Sequence, residues 1–347
     1  MRVFYGILQT GTKIIKKEVF LMKTIVSVGP RRSEIREVPM PEINENQILI
    51  RVKYVGVCMS EHYGWAHAKE GDAFGHEPLG IVERVGANVK GYQPGDRVSG
   101  WWGSTLPGAG GMVEYAVGDP EKDTILILPD NVNDEDMLLE PLSCMMSAVS
   151  KVRIPMPGTE VCVVGAGYMG CGLISLLKLR GGIVTAIDKR PESRANAKKY
   201  GADFVLTVEE AEEMLAKGFA GFPAVMEWGE NNDSLDLAAR MTAQCGQLCI
   251  GAYHTGEKRL INMELLNVRA IDCLSTHPRE LHLSIQGAKN AVRMLSEGRW
   301  GYLHIPTMIY PMDQFDCAQA ELETKYGHHM KAIIDMTKLT GEPQLYK

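Results

Sequence analysis

Apolar and polar positions alternate in short runs from residue 25 to about residue 118, with glycine and proline punctuating them. Residues 48–57 set Ile, Leu, Val and Tyr around Arg51 and Lys53, which predicts a strand. That strand runs straight into Cys58, so the thiol is expected at a strand end. Turns are expected at Gly86 and at Pro94 with Gly95, each between strand-like pieces. This half reads as a β-rich barrel, not a layered unit.

The period changes beyond Pro129. Asn133 and the acids after it offer a helix start, and Met137, Leu138, Met145 and Met146 supply an apolar face up to Lys151. Pro155, Pro157 and Gly158 then interrupt the pattern. Strands are expected at 161–164, 183–187, 204–207, 224–228, 247–251 and 270–274, with helical spacing at 169–180, 194–200, 209–217 and 234–242. Six strands alternating with helices predict an α/β doubly wound parallel sheet. A further helix at 284–297 and strand-like pieces at 305–310 and 331–335 are expected to rejoin the first domain.

Residues 1–21 carry Arg2, Lys13, Lys16 and Lys17 but lack the apolar core and cleavage site of a signal peptide. A clean opening strand begins at Met22, which leaves the preceding residues as an N-terminal extension without an assigned role. No run approaches the roughly 18 apolar residues of a membrane span. A net charge of −6 argues against a nucleic-acid or anionic-membrane partner. Eight scattered cysteines form no disulfide framework, so reduced thiols in a cytoplasmic protein are expected.

Chemistry enters with Cys58, His76, Glu77 and Glu140. One thiolate, one imidazole and one or two carboxylates make the ligand set of a catalytic zinc that keeps a position open. A dinucleotide fingerprint follows an apolar strand and opens a helix: Gly165, Gly167 and Gly170, with Tyr168 and Met169 between them. The first glycine allows the tight turn, the second admits the pyrophosphate, and the helix N-terminus receives its charge. Asp188 closes the second strand, where a carboxylate suits the adenosine ribose hydroxyls and repels a 2′-phosphate. NAD is therefore favoured over NADP, although Lys189 and Arg190 are adjacent cations. Arg194 either covers the adenine side or is a solvated helix residue.

Taken in order, the motifs around Cys58, Ser60 and Glu61, around Gly75, His76 and Glu77, at Gly95 to Val98, at Glu140 to Leu142 and at the glycine fingerprint resemble the zinc-containing medium-chain dehydrogenase/reductase family. The resemblance covers essentially everything from Met22 onward. It implies a GroES-like catalytic domain over 22–152 and 281–347, and an NAD-binding Rossmann domain over 153–280. It places zinc on Cys58 and His76, with Glu140 third and Glu77 as the competing carboxylate. Glutamate at 140 is similar to the sorbitol- and threonine-dehydrogenase-like members.

The same resemblance implies roles for neighbouring residues. Glu61 is the acidic partner of His76 or a solvated loop acid, and Ser60 supplies the hydroxyl beside the substrate oxygen. The family's relay histidine falls on Tyr63 here; His62, one residue earlier, either assists or lies on the surface. Lys331 resembles the basic residue near the cofactor pyrophosphate, or is a lone surface lysine. The run after Val98 has no cysteine up to Met112, so one zinc per chain and no structural zinc are expected. Trp65, Trp101 and Trp102 form an aromatic wall or pack the barrel.

These expectations converge on hydride transfer between NAD(H) and a secondary alcohol, polyol or sugar-like small molecule, by a homodimer or homotetramer. Two other readings remain open: a zinc-free quinone-type reductase using NADPH, and a non-catalytic protein that keeps the scaffold.

Overall fold

The computed structural model describes residues 3–10, 13–102, 111–154, 156–324 and 329–347. Two compact units emerge, Met1–Glu140 with Pro306–Lys347, and Pro141–Ile305.

The strand Ile48–Val57 is the spine of the first unit, and only Arg51 and Lys53 on it are less than fully buried. Each buried aliphatic side chain there contributes roughly 1.5–3 kcal/mol. It pairs antiparallel with Pro78–Val85, Tyr115–Gly118 and Lys331–Asp335. The last of these brings the distant C-terminal segment beside Cys58. Further out, Arg97–Trp101 pairs with Pro78–Val85, and Thr124–Ile127 pairs with Arg97–Trp101. On the other side, Thr307–Pro311 runs parallel to Lys331–Asp335 and pairs with Gln344–Tyr346. Val52, Val55, Val57, Trp65, Phe74, Phe315 and Ile334 close the core beneath the site.

A separate three-stranded sheet carries the N-terminal residues. Lys13–Gly29 is one continuous strand that pairs first with Val3–Thr10 and then with Arg32–Pro39. Met22 therefore falls within a strand instead of opening one, because the β-prone pattern continues on both sides of it.

In the second unit six parallel strands lie in the order Phe204–Leu206, Ile183–Ile187, Glu160–Val164, Phe222–Glu227, Thr242–Ile250, Asp272–Ser275. The order reverses at Glu160–Val164, and doubly wound sheets bind ligands at the carboxyl ends of strands at such a point. Helices Tyr168–Leu179, Pro191–Lys199, Val208–Ala216 and Asn232–Arg240 make the crossovers. Pro191 stands in the first turn of its helix, and a Thr207/Glu210 capping box opens the next. Among the described residues no helix is long and apolar enough to cross a membrane.

Candidate active site

Cys58 leaves the end of Ile48–Val57 and caps the helix Met59–Ala66. That end of a helix favours negative charge. His76 and Glu77 arrive on the turn before Pro78–Val85. Ligand atoms of Cys58, His76 and Glu77 all lie within 4.8 Å of one another. Glu140, in the first turn of the helix Leu139–Ser150, brings Oε2 to 4.0 Å from His76 Nε2.

Glu61 orients the imidazole. Its Oε1 lies 2.8 Å from His76 Nδ1 and also accepts the Gly75 backbone N–H at 2.8 Å. That leaves Nε2 free to face the thiol and Glu140. A carboxylate on the far nitrogen fixes the tautomer and raises the basicity of a ligating histidine.

Glu77 is 1% exposed, and its Oε2 meets Lys331 Nζ at 2.5 Å. The same ammonium donates to the Val57 carbonyl at 3.1 Å. Gly56 makes room: a Cβ there would lie 1.8 Å from Glu77 Oε2. Glu77 Oε1 and Glu61 Oε2 are buried without a hydrogen-bond partner.

Charge tests whether a cation fits. Burial works against an imidazolium at His76, yet hydrogen bonds with Cys58 and Glu61 and the charges of Glu61 and Glu140 outweigh it and push His76 up to about 12. Burial likewise opposes charge on Lys331, and Glu77, Cys58 and Glu140 together hold its pKa above the ordinary value. Three carboxylates and a thiol crowd a site with one ammonium. Such a donor set, with bare oxygens turned inward, suits zinc.

Ser60 directs Oγ to Cys58 Sγ at 3.3 Å. His62 turns away: Nδ1 contacts the Gln319 carbonyl at 3.1 Å and Nε2 the Glu323 carboxylate at 3.0 Å. Tyr63 is exposed and stacks on His67. Trp65 is core, with its indole N–H on Asp316 at 2.7 Å. Trp102 packs against two apolar clusters of the first unit. Residues 103–110, in the run without cysteine, lie outside the described residues.

The second unit presents the glycine fingerprint between Glu160–Val164 and Tyr168–Leu179. Gly165 has φ of +95°, and a Cβ there would come within 2.7 Å of the Trp228 backbone. Gly167 caps the helix, and Tyr168, Met169 and Gly170 form its first turn. Asp188 lies just past Ile183–Ile187, where Oδ2 accepts the Ala166 N–H at 2.9 Å and Oδ1 the Arg190 N–H at 2.9 Å. The Arg190 side chain also reaches Asp188, at 3.2 Å. Arg194 donates to the Asp188 carbonyl at 2.8 Å, while Lys189 is exposed.

The Asp188 bond to the glycine loop, the Glu77–Lys331 pair and the space at Gly56 were not anticipated from sequence. The adjacency of Gly56 to the Cys58 motif was the one local signal.

Family comparison agrees with the two-part fold. Residues 44–130 match the alcohol dehydrogenase GroES-like domain, and residues 169–287 match the zinc-binding dehydrogenase domain. Sorbitol dehydrogenase of Bacillus subtilis (strain 168) is 23% identical over 318 residues, covering 80% of this chain and 89% of that protein. Sorbitol dehydrogenase of Bos taurus is 31% identical over 236 residues, covering 57% and 64%. The matched region thus spans less than two thirds of the bovine protein. The structure of 2R,3R-butanediol dehydrogenase from Bacillus subtilis superposes with a TM-score of 0.74 at 19% identity, covering 90% of this chain and 99% of that one. That of L-idonate 5-dehydrogenase from Escherichia coli gives 0.76 at 18% identity, covering 91% and 98%. With both domains matched in sequence order, the chain belongs to the zinc-containing medium-chain dehydrogenase/reductase family.

Proposed function

We propose that the protein is a zinc-dependent, NAD-linked dehydrogenase acting on a secondary alcohol, polyol or sugar-like compound, or on the matching ketone. The observation that carries this reading is the convergence of Cys58, His76 and Glu77 within 4.8 Å, with His76 oriented by Glu61. The sorbitol, butanediol and idonate dehydrogenases among its relatives and structural neighbours support that substrate class.

Cys58, His76 and a carboxylate would hold one zinc, Glu77 being grouped with them and Glu140 standing close by. Zinc supplies Lewis acidity, which lowers the pKa of a hydroxyl and polarises a carbonyl. Ser60 accepts the proton released by the substrate hydroxyl and passes it outward. Because both His62 nitrogens are already engaged, the onward path uses water or the cofactor ribose. Lys331 lies against Glu77 in a buried place and supplies it with an opposite charge.

NAD would supply the hydride acceptor. The helix N-terminus at Gly167, Tyr168, Met169 and Gly170 would hold its diphosphate, and Asp188 would accept from its ribose hydroxyls. Arg194 braces the strand end by donating to the Asp188 carbonyl.

Metal content per chain and a screen of NAD reduction over polyols and secondary alcohols test the proposal. Close to one zinc, with turnover that stops on chelation, is the expected result. Cys58→Ser should lose both zinc and turnover while keeping its circular dichroism spectrum. Full turnover by a verified metal-free Cys58→Ser protein would overturn the mechanism.

A further inference from the structure

One buried hydroxyl joins the two arms that bring ligands to the metal centre. Ser99 lies in the strand Arg97–Trp101 and is 0% exposed. Its Oγ donates to the Pro78 carbonyl at 2.9 Å and accepts the Leu139 backbone N–H at 3.0 Å. Pro78 directly follows His76 and Glu77, and Leu139 directly precedes Glu140.

Both contacts are to backbone groups beside ligand residues. The Leu139 N–H opens the helix Leu139–Ser150, where the first amides have no acceptor within the helix. A serine hydroxyl has one proton to give, and here the Pro78 carbonyl takes it while a lone pair serves Leu139. The rotor is thereby fixed, and with it the spacing between the two arms. Two residues earlier on the same strand, Arg97 reinforces the tie by donating to Asp134 and to the Pro129 and Val132 carbonyls. The segment leading to Glu140 is thus moored at two places on one strand.

We propose that Ser99 is a positioning residue of the metal centre, one hydroxyl setting the separation between the His76–Glu77 arm and the Glu140 carboxylate. The inference rests on the reading that Cys58, His76 and a carboxylate hold zinc. Ser99 touches no ligand side chain and acts only through the peptide groups next to two of them. Its removal takes one donor from the Pro78 carbonyl and the side-chain acceptor from the Leu139 amide, on opposite arms, and both arms then relax independently.

The test compares full-length wild type, Ser99→Ala and Thr24→Val. Thr24 is a buried hydroxyl whose hydrogen bond goes to the Met112 carbonyl, not to Pro78 or Leu139. Zinc release to excess chelator, the visible spectrum of the cobalt-substituted protein and the melting temperature of the zinc-free protein are read for each. Ser99→Ala is expected to release zinc roughly 10–100-fold faster, the range for loss of a group that supports metal ligands, and to shift the cobalt bands. Thr24→Val should melt lower yet release zinc at the wild-type rate.

Wild-type release and an unchanged cobalt spectrum in Ser99→Ala would overturn the proposal and leave the zinc reading intact. Equal acceleration in Thr24→Val would also overturn it, since general loosening then explains the effect. A wild-type protein that takes up no zinc would overturn the zinc reading itself. Should Ser99→Ala fail to fold, amide exchange in wild type decides: Leu139 protected supports the tie, and Leu139 exchanging as freely as an exposed first-turn amide refutes it.

Discussion

Glu77 and Lys331 face each other at 2.5 Å with almost no access to water, at 1% and 6% side-chain exposure. Removing one member of such a pair leaves an uncompensated charge, which costs about 3–5 kcal/mol. Lys331→Met should therefore destabilise the zinc-free protein by that order in urea unfolding, and adding Glu77→Gln should recover much of it. Comparable losses in the single and double variants would show that the pair is not the source. Gly56→Ala tests the same carboxylate from the other side, because its Cβ would overlap Glu77 Oε2. The expected result is a zinc affinity lowered about 10–100-fold, measured by chelator competition. The order of motifs marked Cys58 and His76, with Glu140 and Glu77 as competing carboxylates, since a thiolate, an imidazole and a carboxylate together make a zinc ligand set. The partner of Glu77 was not legible: nothing local to Lys331 says that its strand returns beside Ile48–Val57.

Elements that alternate with helical stretches were readable, and an isolated helix without a clear apolar period was not. The six parallel strands announce themselves as apolar runs between helical stretches. By contrast, Met59–Ala66 has eight residues with Gly64 among them, and Trp65 is its one buried residue. Tertiary contacts hold that helix; its own pattern does not. The same limit applies to fastenings between elements such as Asp203, which accepts Lys178 Nζ at 2.7 Å and the Val184 N–H at 2.7 Å. This carboxylate ties the helix Tyr168–Leu179 to the strand Ile183–Ile187. Burial alone would raise its pKa, but the Lys178 and Val184 hydrogen bonds win and hold it below the ordinary value. A folded pKa below the unfolded one stabilises fully above about pH 3.9 and is lost as pH falls through the folded value. Asp203→Asn should thus lower the melting temperature at neutral pH. The gap from wild type should close as the pH drops below about 4, and a pH-independent gap would assign the loss to shape, not charge.

Across the whole molecule, chemistry is divided between the two units. Cys58, His76, Glu77 and Glu140 belong to one, and the glycine loop with Asp188 to the other. The order of motifs made this division legible, but its edges were less so. Sequence breakers at Pro155 and Pro157 suggested a boundary there, whereas the change of unit falls at Glu140 and Pro141, inside the helix Leu139–Ser150. A boundary within a helix leaves no break in periodicity to read. If each unit carries a complete ligand set, each can be emptied alone. Chelation should abolish turnover and leave the NADH dissociation constant within about twofold of its starting value. Asp188→Ala should do the reverse, because it removes both the ribose acceptor and the bond that holds the Ala166 N–H in the glycine loop. Losing a charge-assisted bond worth about 1.5–3 kcal/mol predicts NADH binding weaker by at least tenfold, with zinc content unchanged. NADH fluorescence titration and metal analysis on the same samples check both halves. NADH affinity that falls with chelation would mean that the metal helps to hold the cofactor, and the two ligand sets would then have to be treated as one coupled site.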